Sequence, residues 1–451
     1  MLRKLKNLFR SDNAATEPRL IGVDIHGIKK RDLSYNALRV IEQLQEAGWE
    51  AYLVGGGVRD TLLGGHPKDF DVATNATPEQ VQHVFKRARI IGRRFKIVHV
   101  RMGREVLEVT TFRGSHDDAA GKRHAVQSDK GILLRDNVYG DLRSDAFRRD
   151  FSINALYYDP SSESIIDYCN GLEDLQQRKL SIIGDPDARY KEDPVRMLRA
   201  IRFKSKLGFE LDEATEQPIR EHSNYLLEIP SARLFEEVLK LFLSGKAERI
   251  LEELHNFHLL EHLFPAASKV LCGNNEQAQK LLRCAAANTD QRLAQNKRVT
   301  PAFIYAAFLW PQLQEQMEAM RTQHRGGEQE LMNRAATGVI SEQLQRTAIP
   351  KRFLIPMREI WTLQLRLPKR DERRATSLLE HPRFRAAYDF VLLREQSGED
   401  LAQLGQWWTE FQFGNEEQRQ ALLEQAKNSG TPRKRRKPRT RRRKTNKPQH
   451  D

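Results

Sequence analysis

Cysteine is scarce in this sequence, and its pattern argues against two kinds of structure. The three cysteines, Cys169, Cys272 and Cys284, are far apart, odd in number and without a Cys-x-x-Cys spacing. This pattern disfavours a disulfide framework and a cysteine zinc site. A reducing, cytoplasmic location is therefore the expectation.

Long apolar runs are also missing. No window of about 18 uninterrupted apolar residues occurs, so no membrane span is expected. The basic N-terminus lacks the apolar core and cleavage site of a secretory signal, and residues 1–31 are predicted to be an extension. Hydrophobic residues still make up 39% of the 451 residues, and this length exceeds one ordinary core. A folded protein of several domains is predicted.

Acidic residues are almost absent from the C-terminus. Residues 433–447 hold 11 Lys or Arg, and Asp451 is the only acid from 433 onwards, so this end carries +10 of the formal net charge of +14. A segment with so little to bury is predicted to be disordered. Its arginines suit a polyanion whose phosphates they would neutralise, the alternative being a terminus that only aids solubility. The tail residues predicted to contact this polyanion include Arg433, Arg435 and Arg436.

The sequence pattern changes character along the chain. From Asp32 to about Phe112, short extended stretches alternate with helical ones, whereas nearly every window from Pro194 to Lys427 has helical periodicity. The polar, Gly- and Asp-rich segment 114–136 is predicted to be a loop. The predicted divisions are an N-terminal extension (1–31), an α/β head (32–184), a helical neck (185–255), a helical body (256–428) and a tail (429–451).

Two aspartates one residue apart lie in the stretch KDFDVA, residues 68–73, which is predicted to be a strand. Side chains at i and i+2 of a strand share a face, so Asp69 and Asp71 are predicted to point together while Phe70 turns to the core. Glu108, in a second predicted strand (104–112), can face the same way. Such oxygen ligands suit Mg²⁺, with Mn²⁺ as an alternative, and three carboxylates can hold two ions.

A glycine-rich turn precedes the aspartates. Gly55, Gly56 and Gly57 leave backbone N–H groups at the start of a predicted helix, which makes an anion cradle, and Arg59 adds further donors. No Gly-Lys-Ser/Thr follows, so this is not a Walker loop. The turn is predicted to hold the phosphates of a nucleotide.

Four motifs carry a family resemblance. GGGVRD (55–60), DFD (69–71), RRDFSINAL (148–156) and EDPVRMLRAIRF (192–203) resemble the bacterial branch of the template-independent nucleotidyltransferases, which contains poly(A) polymerase and the tRNA CCA-adding enzymes. The resemblance implies an α+β protein. Its parts would be a polymerase-β-like nucleotidyltransferase head with a mixed β-sheet, an all-helical neck and body, and a disordered basic tail.

The same resemblance implies roles for individual residues. Asp69 and Asp71 would bind the metals, and Arg148 and Arg149 would donate to the triphosphate of ATP. Asp150 belongs to a motif that lines the same site in the family. Glu108 and Asp150 therefore both stay candidates for the third acid, and the alternative role of Asp150 is to organise Asn154 and the triphosphate end.

The neck motif suggests nucleotide recognition. Glu192, Asp193, Arg196 and Arg199 fall at spacings of three and four, which on one helix makes a single polar face. An Asp and an Arg held together offer acceptors and donors to a base edge. The alternative is an ion-pair ladder on a solvated helix.

Other stretches separate the two activities of the family. Residues 90–100, 348–367 and 378–394 resemble bacterial poly(A) polymerases. The basic residues of the first stretch, Arg93, Arg94 and Lys96, are predicted to contact the ATP phosphates or the RNA backbone, with an exposed strand face as the alternative. Trp407 and Trp408 are assigned either to RNA stacking or to the core.

The resulting prediction is an enzyme that adds AMP from ATP to single-stranded RNA 3′ ends, releases pyrophosphate and so marks RNA for decay by exonucleases. A CCA-adding enzyme is the second hypothesis. An idle RNA-binding protein is the third, and the intact Asp69 and Asp71 argue against it.

Overall fold

The computed structural model describes residues 17–92, 96–114, 125–127, 133–136, 138–323 and 326–428. The strands are β1 Arg19–Ile21, β2 Ala51–Val54, β3 Asp71–Thr74, β4 Arg89–Ile91, β5 Ile97–Met102, β6 Glu105–Thr111, β7 Ala125–Gln127, β8 Leu133–Asp136, β9 Leu156–Asp159, β10 Ser164–Asp167, β11 Lys179–Leu180 and β12 Glu210–Leu211. In the described ranges, three 3₁₀ helices cover Lys30–Asp32, Ser152–Asn154 and Ser223–Glu228.

The helices follow the same chain order. Those of the head and neck are α1 Val23–His26, α2 Tyr35–Glu46, α3 Gly56–Leu62, α4 Pro78–Val84, α5 Leu142–Arg148, α6 Gly171–Gln176, α7 Pro186–Glu192, α8 Val195–Leu207, α9 Glu213–Glu221, α10 Ser231–Phe242 and α11 Ala247–Asn256. Those of the body are α12 Leu260–Leu263, α13 Pro265–Cys272, α14 Glu276–Ala294, α15 Pro301–Gln323, α16 Glu328–Leu344, α17 Lys351–Gln364, α18 Glu372–Leu379, α19 Phe384–Gln396, α20 Leu404–Phe413 and α21 Glu416–Asn428.

The head is built on one mixed sheet of eight strands in the order β1-β10-β9-β2-β3-β6-β5-β4. β3 and β6 run parallel, and every other pair of neighbours in this sheet is antiparallel. The register places Val54 opposite Asp71 and Asp71 beside Glu108. The end of β2 and the middle of β6 therefore lie on either side of Asp71 at the start of β3.

Hydrophobic packing joins the head to the neck and body. One cluster of buried side chains runs from Ile21 in β1 through the neck helix α8 to Leu393 in α19. A small cluster around Phe112 and Tyr157 closes the other face of the sheet, and another fills the end of the body. The continuous core fixes α8 against the head, so side chains from both parts meet at one site.

Local sequence signals explain several elements as predicted. Ser34 caps α2 by accepting a hydrogen bond from the Ala37 N–H at 3.2 Å. Thr77 and Gln80 form a capping box at the start of α4. β6 and the predominantly helical neck and body also form where expected, which confirms the α+β class with a mixed sheet.

The predicted strand 68–73 is partly wrong. β3 begins only at Asp71, so Asp69 precedes the strand instead of sharing its face. The cause lies in the partner strand, because β2 ends at Val54 and the chain turns away at Gly55, whose φ is +77°. Phe70 is buried as expected.

The structure corrects three further predictions. The described parts of segment 114–136 include an antiparallel pair, β7 with β8, so the prediction of a loop throughout is wrong. The neck is not wholly helical, since β12 pairs with β11 of the head. The neck motif spans two helices, because Glu192 ends α7, Asp193 caps it and Pro194 precedes α8.

Within the described ranges, no helix combines the length and apolar character needed to cross a membrane.

Candidate active site

The glycine turn is shaped to lie against charged side chains. Gly55 adopts φ +77° and ψ −136°, a conformation that other residues rarely adopt. A Cβ atom there would lie 3.7 Å from Arg149 Nη1 and 3.8 Å from Asp71 Oδ2. At Gly57 an added Cβ would lie only 2.7 Å from Phe70 Cδ1. The backbone at Gly55 thus lies close to Arg149 and Asp71 at the start of α3, where the first N–H groups have no intrahelical acceptor.

Three carboxylates surround the start of β3. Asp71 and Glu108 are neighbours in the parallel register of β3 and β6, and Asp69 precedes Asp71 by two residues. Desolvation, Glu108 and Asp69 together raise the pKa of Asp71 to about 6, against the opposing effect of Arg149. The ionised form of Asp71 is therefore disfavoured until a cation offsets this charge. Hard oxygen donors of this kind fit Mg²⁺.

Side chains that could ligate a metal can be compared by the distances between their ligand atoms. Among the described residues, one group of three such side chains has its ligand atoms all within 4.8 Å, namely Asp187, Glu221 and His222 in the neck. Asp69, Asp71 and Glu108 do not meet this criterion in the described structure.

Asp150 is engaged in a link between head and neck. It accepts hydrogen bonds from Arg199 Nε at 2.6 Å, Asn154 Nδ2 at 3.1 Å and the Phe151 N–H at 2.9 Å. Desolvation would raise the pKa of Asp150, but Arg199 and Asn154 outweigh it and lower the pKa to about 2. Asn154 in turn accepts from Arg59 Nη1 at 2.6 Å. These contacts hold Asp150 to α8 and place Asn154 beside it.

Arg59 lies inside this network. Its side chain is 3% exposed, its Nε and Nη2 donate to Asp60, and its guanidinium lies 5.1 Å from the centre of the Phe203 ring. In this structure Arg59 links α3 to the neck helix α8 through its contact with Phe203. Its Nε, Nη1 and Nη2 atoms already donate hydrogen bonds within the protein. That geometry differs from the open phosphate donor that the sequence suggested.

Arg149 lies between the sheet and the glycine turn. Its Nε donates to Tyr157 Oη at 2.8 Å, and its Nη2 donates to Asp145 Oδ2 at 2.9 Å. Desolvation lowers the pKa of Arg149, but Tyr157 and Asp145 outweigh it, so the net pKa is raised. Arg149 stays cationic next to Asp71.

Further cations surround Arg149. Desolvation, Arg113 and other nearby arginines lower the pKa of Arg148 to about 10, while Glu192 acts in the opposite direction. Arg189 Nη2 donates to the carbonyls of Arg148 and Arg149 at 2.7 and 2.6 Å. The region holds a concentration of positive charge that suits a polyanion.

The neck residues form two separate groups of hydrogen bonds. Glu192 accepts from Arg196 Nη1 at 2.6 Å and from Arg189 Nη1 at 2.7 Å. Asp193 accepts from Arg233 Nη2 at 2.7 Å. The sequence suggested that Asp193 and Arg196 act together from one helix face, whereas the break at Pro194 gives each a different partner.

Several predicted contacts lie at the edge of the described structure or in the core. Lys96 pairs with Glu79 at 3.3 Å. Arg93, Arg94 and the tail arginines Arg433, Arg435 and Arg436 lie outside the described residues. Trp408 is fully buried and Trp407 nearly so, which assigns both to the core and makes their RNA-stacking role wrong.

Sequence reasoning missed the residues that support this site. Asp145, Tyr157, Arg189 and Arg233 each bond to a motif residue. Local spacing signalled two of these contacts, Asp145 with Arg149 at i to i+4 and Arg189 with Glu192 at i to i+3. The contacts of Tyr157 and Arg233 depend on strands and helices that meet only in the folded chain.

Family models match the chain along its length. The poly A polymerase head domain matches residues 51–181, the probable RNA and SrmB-binding site of polymerase A matches 208–271, and the polymerase A arginine-rich C-terminus matches 325–444. The chain is also 45% identical over 421 residues to poly(A) polymerase I of Haemophilus influenzae, covering 93% of each chain. The chain belongs to the bacterial poly(A) polymerase I family. It is thus an RNA-binding polynucleotide adenylyltransferase that carries out template-independent poly(A) addition with a nucleotide substrate and a divalent metal.

CCA-adding enzymes share the fold but match less of the sequence. The CCA-adding enzyme of Lactobacillus helveticus is 40% identical over 215 residues, which is 47% of this chain and 51% of its own. The crystal structure of the Bacillus stearothermophilus CCA-adding enzyme in complex with CTP has a TM-score of 0.54 and 26% identity, and the match covers 87% of this chain and 80% of that one. The predicted nucleotidyltransferase fold is confirmed, and poly(A) polymerase membership is favoured over the second hypothesis.

Proposed function

We propose that Asp69, Asp71 and Glu108 hold two Mg²⁺ ions, with Mn²⁺ as a substitute. The oxygen donor set and the raised pKa of Asp71 support this assignment. Asp150 is proposed as an organiser of Asn154 and the neck, because Arg199 already pairs with it. When bound, the metals would supply charge stabilisation for the attacking and leaving oxygens.

The chain's own groups would position the nucleotide for in-line transfer. Backbone N–H groups of Gly55, Gly56 and Gly57, with Arg148 and Arg149, would bind the triphosphate of ATP. The 3′-hydroxyl of RNA would attack the α-phosphorus, forming the new O–P bond while the bond to pyrophosphate breaks. The observation that carries this proposal is the approach of Arg149 Nη1 and Asp71 Oδ2 to the turn at Gly55. Positioning and charge would supply the catalysis.

The neck is proposed to select the base. Asp193 held by Arg233 and Arg196 held by Glu192 give two fixed polar groups next to the head. Fixed donors and acceptors discriminate because a wrong base leaves them unsatisfied. Arg199 would act indirectly, by holding Asp150.

RNA is proposed to bind across the basic parts of the chain. Lys96, with Arg93 and Arg94, lies next to the active-site strands in sequence, and the tail adds 11 basic residues between 433 and 447. Such contacts to phosphates are independent of base sequence. We assign the poly(A) tails that the enzyme adds a role in marking RNA for decay by exonucleases in the cytoplasm.

A primer-extension assay with single nucleotides tests the function. An unstructured RNA oligomer and a tRNA lacking its CCA end each receive Mg²⁺ and one NTP at a time. Long ladders on the oligomer with ATP, and little with CTP, are expected. Addition that stops after C, C and A on the tRNA, when CTP and ATP are supplied together, would instead establish the CCA-adding activity.

A further inference from the structure

Arg149 is held by a buried pair of side chains that none of the sequence motifs identified. Asp145, on α5, is 6% exposed, and Tyr157, on β9, is fully buried. Tyr157 Oη donates to Asp145 Oδ2 at 2.6 Å and accepts from Arg149 Nε at 2.8 Å. The same Asp145 oxygen accepts from Arg149 Nε at 3.2 Å and Nη2 at 2.9 Å. The three side chains form a closed triangle of hydrogen bonds.

Further contacts restrict the orientation of the Asp145 carboxylate and the Arg149 guanidinium. The second Asp145 oxygen accepts from the Arg113 N–H at 3.1 Å, so both carboxylate oxygens are in use. The Arg149 guanidinium lies 5.2 Å from the centre of the Tyr157 ring. A guanidinium is planar, so fixing Nε and Nη2 also fixes the direction of Nη1. Nη1 is the atom next to Gly55.

We propose that Asp145 and Tyr157 are positioning residues that lock the Arg149 guanidinium so that Nη1 meets the phosphates of the nucleotide and of the departing pyrophosphate. This inference rests on the proposed role of Arg149 as a triphosphate donor. A free arginine side chain samples many rotamers, and ordering it at the moment of binding weakens affinity. Asp145 and Tyr157, which together form a clamp, order the Arg149 side chain before the nucleotide binds.

A pair of neighbouring tyrosines supplies a matched test. Tyr157→Phe removes the hydroxyl that bonds Arg149 and Asp145. Tyr158→Phe removes a hydroxyl on the same strand that has no hydrogen-bond partner among the described residues. In the full-length enzyme, we expect Tyr157→Phe to raise KM for ATP and the inhibition constant of pyrophosphate roughly tenfold. Tyr158→Phe should leave both constants unchanged.

A double-mutant cycle separates positioning from a general structural role. Pyrophosphate inhibition is measured for Arg149→Ala, Tyr157→Phe and the double variant. If Arg149→Ala weakens inhibition and Tyr157→Phe then adds nothing further, the clamp acts through Arg149, as proposed. If Tyr157→Phe has the same effect with or without Arg149, its role is structural and the proposal is overturned.

The remaining outcomes distinguish the inference from the proposed function. If Arg149→Ala weakens pyrophosphate inhibition but Tyr157→Phe does not, positioning is overturned while the role of Arg149 stands. If Arg149→Ala changes neither constant, the triphosphate role fails and the clamp fails with it. Asp145→Asn, which keeps the size of the side chain, gives a second route to the same comparison, and its effect should also vanish without Arg149.

Discussion

At the scale of single residues, Asp71 shows the cost of building the site. Desolvation, Glu108 and Asp69 raise its pKa from 3.8 to about 6 in the folded chain. An acid whose pKa is higher in the folded state than in the unfolded state lowers the free energy of unfolding as the pH rises from about 4 to 6. This loss of stability persists above pH 6. Functional sites commonly hold groups in such unfavourable states.

Asp71→Asn is therefore expected to stabilise the metal-free protein while removing activity. With EDTA present, the melting temperature should rise relative to wild type at pH 7.5 and much less at pH 4.5, where Asp71 is protonated. Primer extension with Mg²⁺ should fall at least about a hundredfold. Equal melting shifts at both pH values would contradict the electrostatic account.

Gly55 gives a second test at this scale. Its φ of +77° with ψ −136° is strained for any other residue, while the contacts of an added Cβ, at 3.7 and 3.8 Å, are ordinary ones. Gly55→Ala should destabilise the fold by about 1–3 kcal/mol through the backbone alone. Gly327, which also caps a helix but has φ −72°, is the control. Denaturant unfolding of both variants should show a clearly smaller loss for Gly327→Ala, and equal losses would refute the backbone argument.

At the scale of elements, sequence patterns predicted what each segment forms better than where it ends. The alternation of helical and extended patterns identified the head, and the strand predicted over 104–112 formed as β6. The start of β3 was misplaced because the first paired residue of β3 is set by the partner strand β2. That strand ends at Val54, before the turn at Gly55. The neck motif was assigned to one helix even though Pro194 is a local signal for a break, since proline disfavours a helical residue before it. Weighing that signal would have separated Glu192 and Asp193 from Arg196.

The contact between α8 and the head is the element-scale link with a direct test. Arg199 holds Asp150, and the lowered pKa of Asp150, about 2, means that the pair stabilises the fold above pH 4 and is lost as pH falls towards 2. Arg199→Ala should cost roughly 2–3 kcal/mol at pH 7, less than a fully buried pair because the Arg199 side chain is 33% exposed.

Arg202 on the same helix is the matched control. It also lies over the Phe203 ring, at 5.1 Å, but forms no ion pair among the described residues. Urea unfolding of Arg202→Ala should show a smaller loss than Arg199→Ala at pH 7. The gap between the two variants should shrink below pH 3. A gap independent of pH would mean that Arg199 stabilises α8 by packing and not by its charge.

At the scale of the whole molecule, the sequence indicated the parts but not how they meet. The motifs located the turn, the aspartates and the neck, because each depends on a few adjacent residues. The pairs that join them, Tyr157 with Arg149, Arg199 with Asp150 and Arg233 with Asp193, are separated by 8, 49 and 40 residues. The two pairs that are distant in sequence, Arg199 with Asp150 and Arg233 with Asp193, depend on the continuous core from head to body. No periodicity in the sequence predicts them.

Charge distribution over the whole molecule leads to the last prediction. Residues 433–451 carry +10 of the net +14, so most of the excess charge available to RNA phosphates belongs to this segment. Each phosphate contact releases counterions and adds about 0.7 to the steepness of log K against log salt on single strands. Deleting 433–451 should therefore weaken RNA binding at low salt and flatten that slope, while the rate on saturating primer changes little. The control replaces 433–451 with a neutral Gly/Ser segment of equal length, which should behave like the deletion. A slope that stays at the full-length value in fluorescence-anisotropy titrations would show that RNA is held by the head, neck and body alone.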